Sequence, residues 1–166
     1  MSNKPTPQKI EEIVKSFINE GKLMQVITCQ NNQPWVANVW YSFDENLNFY
    51  FISRNSRRHS QELRKQSKVA GNIALPPFEG LGQKARAVAF EGIAEEVGMM
   101  ASKEAFNIYR KRWPQAIHHI TDKDILKNLT KVRFYKITPT LFVLFDEVSF
   151  PDDARQELSW GNKDKK

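Results

Sequence analysis

The start of the chain shows a helical pattern of apolar and polar positions. Thr6 and Pro7 form a typical helix start, because threonine can cap the first turn and proline fits the first helical position. The apolar positions that follow lie three or four residues apart, as on one face of a helix: Ile10, Ile13, Val14, Phe17 and Ile18. Gly21 marks the end of this pattern. The segment therefore predicts an amphipathic helix that packs on a core.

Next, the spacing changes to the two-residue period of β-strands. The segments LMQVITC, PWVANVWYSF and LNFYFIS are rich in β-branched and aromatic residues. Asn31-Asn32-Gln33 and Asp44-Glu45-Asn46 lie between them and are typical turn sequences. The pattern predicts a meander of three antiparallel strands.

The second and third of these strands carry apolar residues on both faces. Val36 and Trp40 alternate with further apolar residues in the second strand, and Tyr50 and Ile52 alternate with phenylalanines in the third. An antiparallel sheet normally has one polar face, so the second apolar face must be covered. We expect a barrel whose outside forms a dimer interface; the alternative is a sheet covered by the chain's own helices.

After the meander, the pattern predicts two more strands with a helix before them. Ser56 is a candidate N-cap for the polar helix RRHSQELRKQ. KVAGNIAL and RAVAFEGIAEEV read as strands, joined by the proline- and glycine-rich loop PPFEGLGQK. Gly92 in the second of them predicts a β-bulge or a close backbone approach.

The last third of the chain predicts helices and then strands. A helix starts at Ser102 and must stop before Pro114, and a short helix spans Thr121 to Leu129. VRFYKI and TLFVLFDEV, separated by Thr138-Pro139, predict the closing strands. The expected fold class is mainly β: an antiparallel barrel of about six strands, of Greek-key type, with an N-terminal helix and two or three further helices.

The size and composition of the chain favour one domain. It has 166 residues, of which 40% are hydrophobic and 27% charged, as in globular proteins. We expect a single domain over residues 1–166, with flexible ends at about 1–5 and 155–166. The absence of an apolar run of about 20 residues excludes a spanning helix, and the lone Cys29 cannot form an internal disulfide. We expect a cytoplasmic protein that binds no membrane.

The charge pattern singles out one segment. The net charge is +6, but much of it lies near the two ends of the chain, and Arg57 to Lys68 is the segment inside the chain that concentrates cations. There, a strand and a short turn lead to Ser56, Arg57 and Arg58 at the start of a helix. Helix N-termini and guanidinium groups both bind anions, so the segment predicts a phosphate site. A solvated, charged helix face is the alternative.

With these segments in order, the sequence resembles the FMN-binding split β-barrels related to pyridoxamine 5′-phosphate oxidase. The resemblance rests on PWVANVWYSFDENLNFYFIS, on Ser56-Arg57-Arg58, on KVAGNIAL and on AVAFEGIAEEV, and covers roughly positions 20 to 97. KVRFYKITPTLFVLFDEVSF gives a looser match. The chain most resembles the small bacterial branch of this family.

This resemblance implies a homodimer with FMN in the groove between two subunits. It implies that Arg57 and Arg58 hold the phosphate, with Ser56 and His59 beside it. The remaining implied contacts lie on two strands. The contacts along the flavin ring are Ala37, Asn38, Val39 and Trp40, and those beside the ribityl chain are Ile52 and Ser53. An FMN-dependent oxidoreductase would take electrons from a nicotinamide nucleotide or a small substrate. We name no catalytic residue.

The chain departs from the oxidase at several positions. Ile52 stands where the oxidase has a threonine, and Ala87 where it has a glutamine that contacts the ribityl chain. The C-terminal signature with which the oxidase grips pyridoxal phosphate is missing, since only Arg155 and Trp160 stand in its place. The sequence does not predict vitamin B6 oxidation.

Two other functions remain open at this point. A heme-binding or heme-degrading split barrel could use His118 or His119 as an axial ligand, although a solvent-facing histidine pair is the simpler interpretation. A nucleic-acid-binding module could use the basic segment, but Glu62 interrupts it and no nucleic-acid-binding motif is present. We therefore expect no nucleic-acid partner and no metal site.

Overall fold

The computed structural model describes residues 4–118 and 131–161. Its elements, in chain order, are α1 (Pro7–Glu20), β1 (Leu23–Gln30), β2 (Gln33–Phe43), β3 (Phe49–Arg54), α2 (Arg58–Lys65), β4 (Lys68–Ala74), β5 (Arg86–Glu96), α3 (Met99–Arg112), a 3₁₀ turn (Pro114–His118), β6 (Val132–Asp146) and β7 (Arg155–Ser159). None of the helices in these ranges is long and apolar enough to cross a membrane.

The strands form one antiparallel sheet that closes on itself. Their order is β3-β2-β1-β4-β5-β6-β7, and β3 also pairs with β6. Six strands therefore make a barrel, and β7 extends the sheet beside the second half of β6. This arrangement confirms the expected fold class, a mainly β antiparallel barrel with helices at its periphery.

The barrel interior is filled by large aromatic and branched side chains. Phe49 lies at its centre, with its ring 4.7 Å from that of Phe90 and 5.6 Å from that of Tyr41. The five stripe residues of α1 are buried in the same core, as the sequence predicts. Thr6 caps α1, and Gly21 follows its last residue. The helix therefore packs its apolar face against the barrel.

A second apolar cluster lies outside the barrel, under α3. Tyr50 of β3 and Phe134 of β6 pack there against Phe106 and Tyr109. The chain's own helix thus covers the outer face of β3, which is the alternative explanation of the doubly apolar strands. On β2, in contrast, Val36 and Trp40 remain more than half exposed in the single chain.

Two details differ from the sequence-based expectations, and a third agrees with them. VRFYKI and TLFVLFDEV form one continuous strand, β6, because Pro139 lies opposite Gly92 where the register of β5 shifts. A bulge tolerates a residue that has no N–H to donate, and the predicted irregularity at Gly92 is confirmed. Helix α3 begins at Met99, three residues earlier than expected.

Two further expectations concern the C-terminal end of the chain and the short helix before β6. Residues 155–159, within the end that we expect to be flexible, pair with β6 as the edge strand β7. The short helix expected from Thr121 to Leu129, and His119, lie outside the described residues.

Candidate functional site

The candidate site begins where two neighbouring strands separate. β2 and β3 share only three paired positions, and their ladder ends at Tyr41 and Phe51. Beyond that point β2 pairs with β1, while residues 52–54 of β3 pair with β6. The facing edges of the two strands do not pair with each other, so a cleft opens between them. Both strand segments that the family resemblance assigns to the cofactor lie along this opening.

The residues of the β2 segment point in alternating directions. Asn38 and Trp40 lie on the outer face and are exposed, whereas Val39 is buried in the barrel core and Ala37 is half-buried on the same side as Val39. Only Asn38 and Trp40 can therefore present their side chains outside the barrel. The Trp40 ring contacts that of Trp113 edge to face, at 5.3 Å between centroids.

The two predicted residues of β3 also differ in surroundings. Ile52 packs against the cluster under α3. Ser53 is partly buried, and its Oγ lies 2.8 Å from Nε2 of His59, within hydrogen-bonding distance. Burial, together with the nearby Arg57 guanidinium, lowers the pKa of His59. The imidazole is therefore neutral near pH 7, so it adds no charge to the site.

A tight turn carries the chain from β3 into α2. The amide of Arg57 donates to the carbonyl of Arg54 at 3.1 Å, which closes the turn. The expectation that Ser56 caps the helix is wrong: the N-cap is Arg57, in extended conformation and without a side-chain cap bond. Ser56 and Arg57 are both exposed. The first amides of an α-helix have no carbonyl partner within the helix, so the free amides of the first turn of α2 lie next to the exposed residues Ser56 and Arg57.

Arg58 is held by two groups that the sequence analysis did not assign to the site. Its Nε donates to Oε1 of Glu62 at 2.6 Å, and its guanidinium carbon lies 4.5 Å from the ring centroid of Trp35. The other Glu62 oxygen accepts a hydrogen bond from the hydroxyl of Thr28 on β1. The four-residue spacing of Arg58 and Glu62 is a sequence signal for the ion pair. No sequence signal places Trp35 or Thr28 beside it.

Two further arginines, one on α2 and one on β6, are also paired. Arg64 Nε donates to Glu96 at 2.7 Å, and Arg133 lies 3.5 Å from the same carboxylate. Arg57, by contrast, forms no ion pair with any residue in the described ranges. Among the described residues of this turn, the cations available to an incoming anion are therefore Arg54, Arg57 and the terminal nitrogens of Arg58.

Sequence comparison relates the chain to one group of bacterial proteins. No family model matches it. A UPF0306 protein of Pasteurella multocida is 28% identical over 111 residues, which cover 66% of this chain and 71% of that protein. The UPF0306 protein YhbP of Escherichia coli O157:H7 is 27% identical over 136 residues, which cover 81% of this chain and 77% of the relative.

Solved structures with the same fold include proteins that bind different cofactors. A heme-binding protein from Mycobacterium smegmatis superposes with a TM-score of 0.74 at 12% identity, over 95% of this chain and 59% of that one. The heme storage protein HutZ from Vibrio cholerae gives 0.61 at 18% identity, over 78% and 89%. A FAD-binding protein from Mesorhizobium loti gives 0.60 at 13%, over 80% and 90%. The chain thus shares its split-barrel fold with heme-binding proteins and with a FAD-binding protein.

Proposed function

We propose that this protein binds FMN, with the phosphate at the turn between β3 and α2. One observation carries the proposal: the cleft between β2 and β3 leads to the first turn of α2, where Ser56 and Arg57 are exposed. A phosphate dianion is strongly hydrated, so a binding site must replace its water with several donors. Backbone amides, a serine hydroxyl and guanidinium groups are donors of this kind.

The rest of the cleft suits the remaining parts of the molecule. Ser53 on β3 would offer its hydroxyl to the ribityl chain. The β2 segment from Ala37 to Trp40 would offer a strand edge to the flavin ring. Because Val39 is buried in the core, it would contribute backbone groups only. Ile52 faces the α3 cluster and would likewise border the ligand through its backbone.

A bound flavin would supply hydride and electron transfer, with a nicotinamide nucleotide or a small reduced substrate as the donor. The chain's own residues would hold the phosphate, orient the ring and limit the access of water to it. This chemistry requires no acid or base from the protein. The proposed activity is therefore an FMN-dependent oxidoreductase without an assigned substrate.

Isothermal titration with FMN tests the phosphate assignment. Arg57→Ala combined with Arg58→Ala should weaken FMN binding at least about 100-fold, since charge-assisted hydrogen bonds contribute about 1.5–3 kcal/mol each. Riboflavin, which has no phosphate, should bind the wild type and this variant equally. Lys9→Ala with Lys15→Ala removes the same charge from the exposed side of α1 and should leave FMN affinity within about twofold. Equal FMN affinity of the wild type and the arginine variant would refute the assignment.

Two neighbours with the same fold are heme proteins, so heme is the second candidate ligand. The absorption spectrum of the freshly purified protein separates the two. A Soret band indicates heme. Absorption of blue light by a chromophore that passes into the filtrate after denaturation indicates a flavin. A Soret band together with an absence of FMN binding would replace the flavin proposal with a heme site.

We further propose that a second copy of the chain covers the outer face of the sheet. This face carries Leu23, Val36, Trp40 and Phe145, each between 40% and 55% exposed in the single chain. Ala70 on β4 and Ala89 on β5 lie between them, and their small side chains permit close approach of a second copy. Trp40 belongs both to this face and to the cleft, so a second copy packed here would close the open side of the cleft.

Light scattering after gel filtration tests the dimer. The wild type should have twice the mass of one chain, and Val36→Glu should reduce it to one chain, because a carboxylate buried in the interface would lack a partner. Met100→Glu places the same group at a fully exposed position of α3 and should leave the dimer intact. A monomeric wild type, or a dimeric Val36→Glu variant, would contradict this arrangement.

A further inference from the structure

Glu62 is a charged residue buried beneath the candidate phosphate site. It is 4% exposed, although it lies on the short and otherwise polar helix α2. The Thr28 hydroxyl, itself 1% exposed, donates to one carboxylate oxygen, and Arg58 Nε donates to the other at 2.6 Å. The carboxylate is thus fixed from the barrel side by Thr28 and is bonded to Arg58 on its other side.

The hydrogen bonds of Glu62 keep it ionised. Burial alone would raise the pKa of its carboxyl, but the hydrogen bonds from Thr28 and Arg58 outweigh burial and lower it. A buried carboxylate with two donors is a fixed acceptor. It therefore holds the Nε–H of Arg58 in one direction.

Trp35 restrains the same guanidinium from a second direction. Thr28 and Trp35 are directly opposite each other on β1 and β2, so their side chains lie on the same face of the sheet. The Arg58 guanidinium lies over the Trp35 ring at 4.5 Å, and Glu62 bonds its edge. With its plane and one edge fixed, the group can direct only its two terminal nitrogens toward a ligand.

We propose that Glu62 is a positioning residue that orients the Arg58 guanidinium for the phosphate group of the ligand. The inference rests on the proposed flavin site and assigns to Glu62 a role beyond charge balance. An exposed arginine samples many rotamers, and fixing it in advance removes that entropy cost from binding. Thr28 supports this role indirectly, because its hydroxyl holds the second oxygen of Glu62.

The sign of the effect distinguishes positioning from simple charge. A carboxylate near a phosphate dianion repels it, so removing the charge would strengthen FMN binding if charge alone mattered. If Glu62 positions Arg58, Glu62→Gln should instead weaken FMN binding about tenfold, the size of one lost charge-assisted bond. Glu12→Gln on α1, where the side chain is 71% exposed, is the matched control and should change little.

A double-mutant cycle makes the test specific to Arg58. In an Arg58→Ala background the guanidinium is absent, so Glu62→Gln should leave FMN affinity unchanged or raise it. Weaker binding on Glu62→Gln in both backgrounds would show a merely structural effect and overturn the proposal. Stronger binding in the wild-type background would overturn it as well.

A measurement without ligand separates this proposal from the flavin assignment. In a nitrogen-15 NMR spectrum the Arg58 Nε–H of the wild type should exchange slowly with water, and Glu62→Gln should accelerate its exchange at least tenfold. Fast exchange in the wild type would overturn the positioning role whether or not FMN binds. Slow exchange in a protein that does not bind FMN would leave the positioning geometry standing and reject the flavin site.

Discussion

Phe49→Ala is expected to lower the free energy of unfolding by about 3–5 kcal/mol, the usual cost of removing a large aromatic side chain from a well-packed core. Phe49 is fully buried in the barrel. Its ring contacts those of Tyr41, Phe90 and Phe142, with centroids 4.7 to 6.3 Å away. These rings belong to β2, β5 and β6, so the cavity would open between strands on opposite sides of the barrel. Urea unfolding followed by circular dichroism measures the change.

Phe78→Ala provides the matched control for this prediction. Phe78 lies in the loop between β4 and β5 and is 74% exposed, so its removal should change the free energy of unfolding by less than about 0.5 kcal/mol. A similar decrease in the free energy of unfolding in both variants would mean that the aromatic packing of the barrel centre does not dominate stability.

Arg112→Ala is expected to lower the free energy of unfolding by about 2–4 kcal/mol, more than surface arginines contribute. Its Nη2 donates to the carbonyls of Ile18, Asn19 and Gly21 at the end of α1. Its guanidinium also lies over the Tyr41 and Phe43 rings, 4.8 Å from each centroid. Removing it would leave helix-terminal carbonyls without their charged donor and would remove these hydrogen bonds between α3 and the end of α1.

Thermal and urea unfolding of Arg112→Ala should be compared with Lys111→Ala. Lys111 precedes Arg112 on α3 but is exposed, so losing its charge should change stability by less than about 0.5 kcal/mol. Equal stability of the two variants would mean that the carbonyl contacts of Arg112 contribute nothing measurable.

Local patterns predicted most of the fold because they are repeated many times. The apolar stripe of α1 and the alternation in β1 to β3 each rest on five or more positions, and single exceptions do not change the pattern. Prediction failed where one residue had two interpretations. Pro139 reads as a strand break, but it is accommodated because β6 bulges at Thr140, where its pairing shifts between Glu91 and Gly92 of β5.

The candidate site was predictable only in part, for a similar reason. The turn with Ser56, Arg57 and Arg58 is contiguous in sequence, so its charge and donors can be recognised directly. Glu62 reads as an interruption of the basic segment, yet it is buried because Thr28 and the barrel wall lie beneath it. Which face of a short helix is buried depends on the strands it packs against, and these are distant in sequence.

The long strand β6 determines when the cleft can exist. It holds β3 along residues 132–137 and β5 along its other edge. The β3–β6 pairing joins segments about eighty residues apart, which is a slow step because a long loop must close before any contact forms. Until β3 pairs with β6, no strand pairing holds residues 52–54 of β3 away from β2. A nascent chain that has not yet made β6 would therefore lack the cleft, and binding of the proposed flavin would require that β6 is in place.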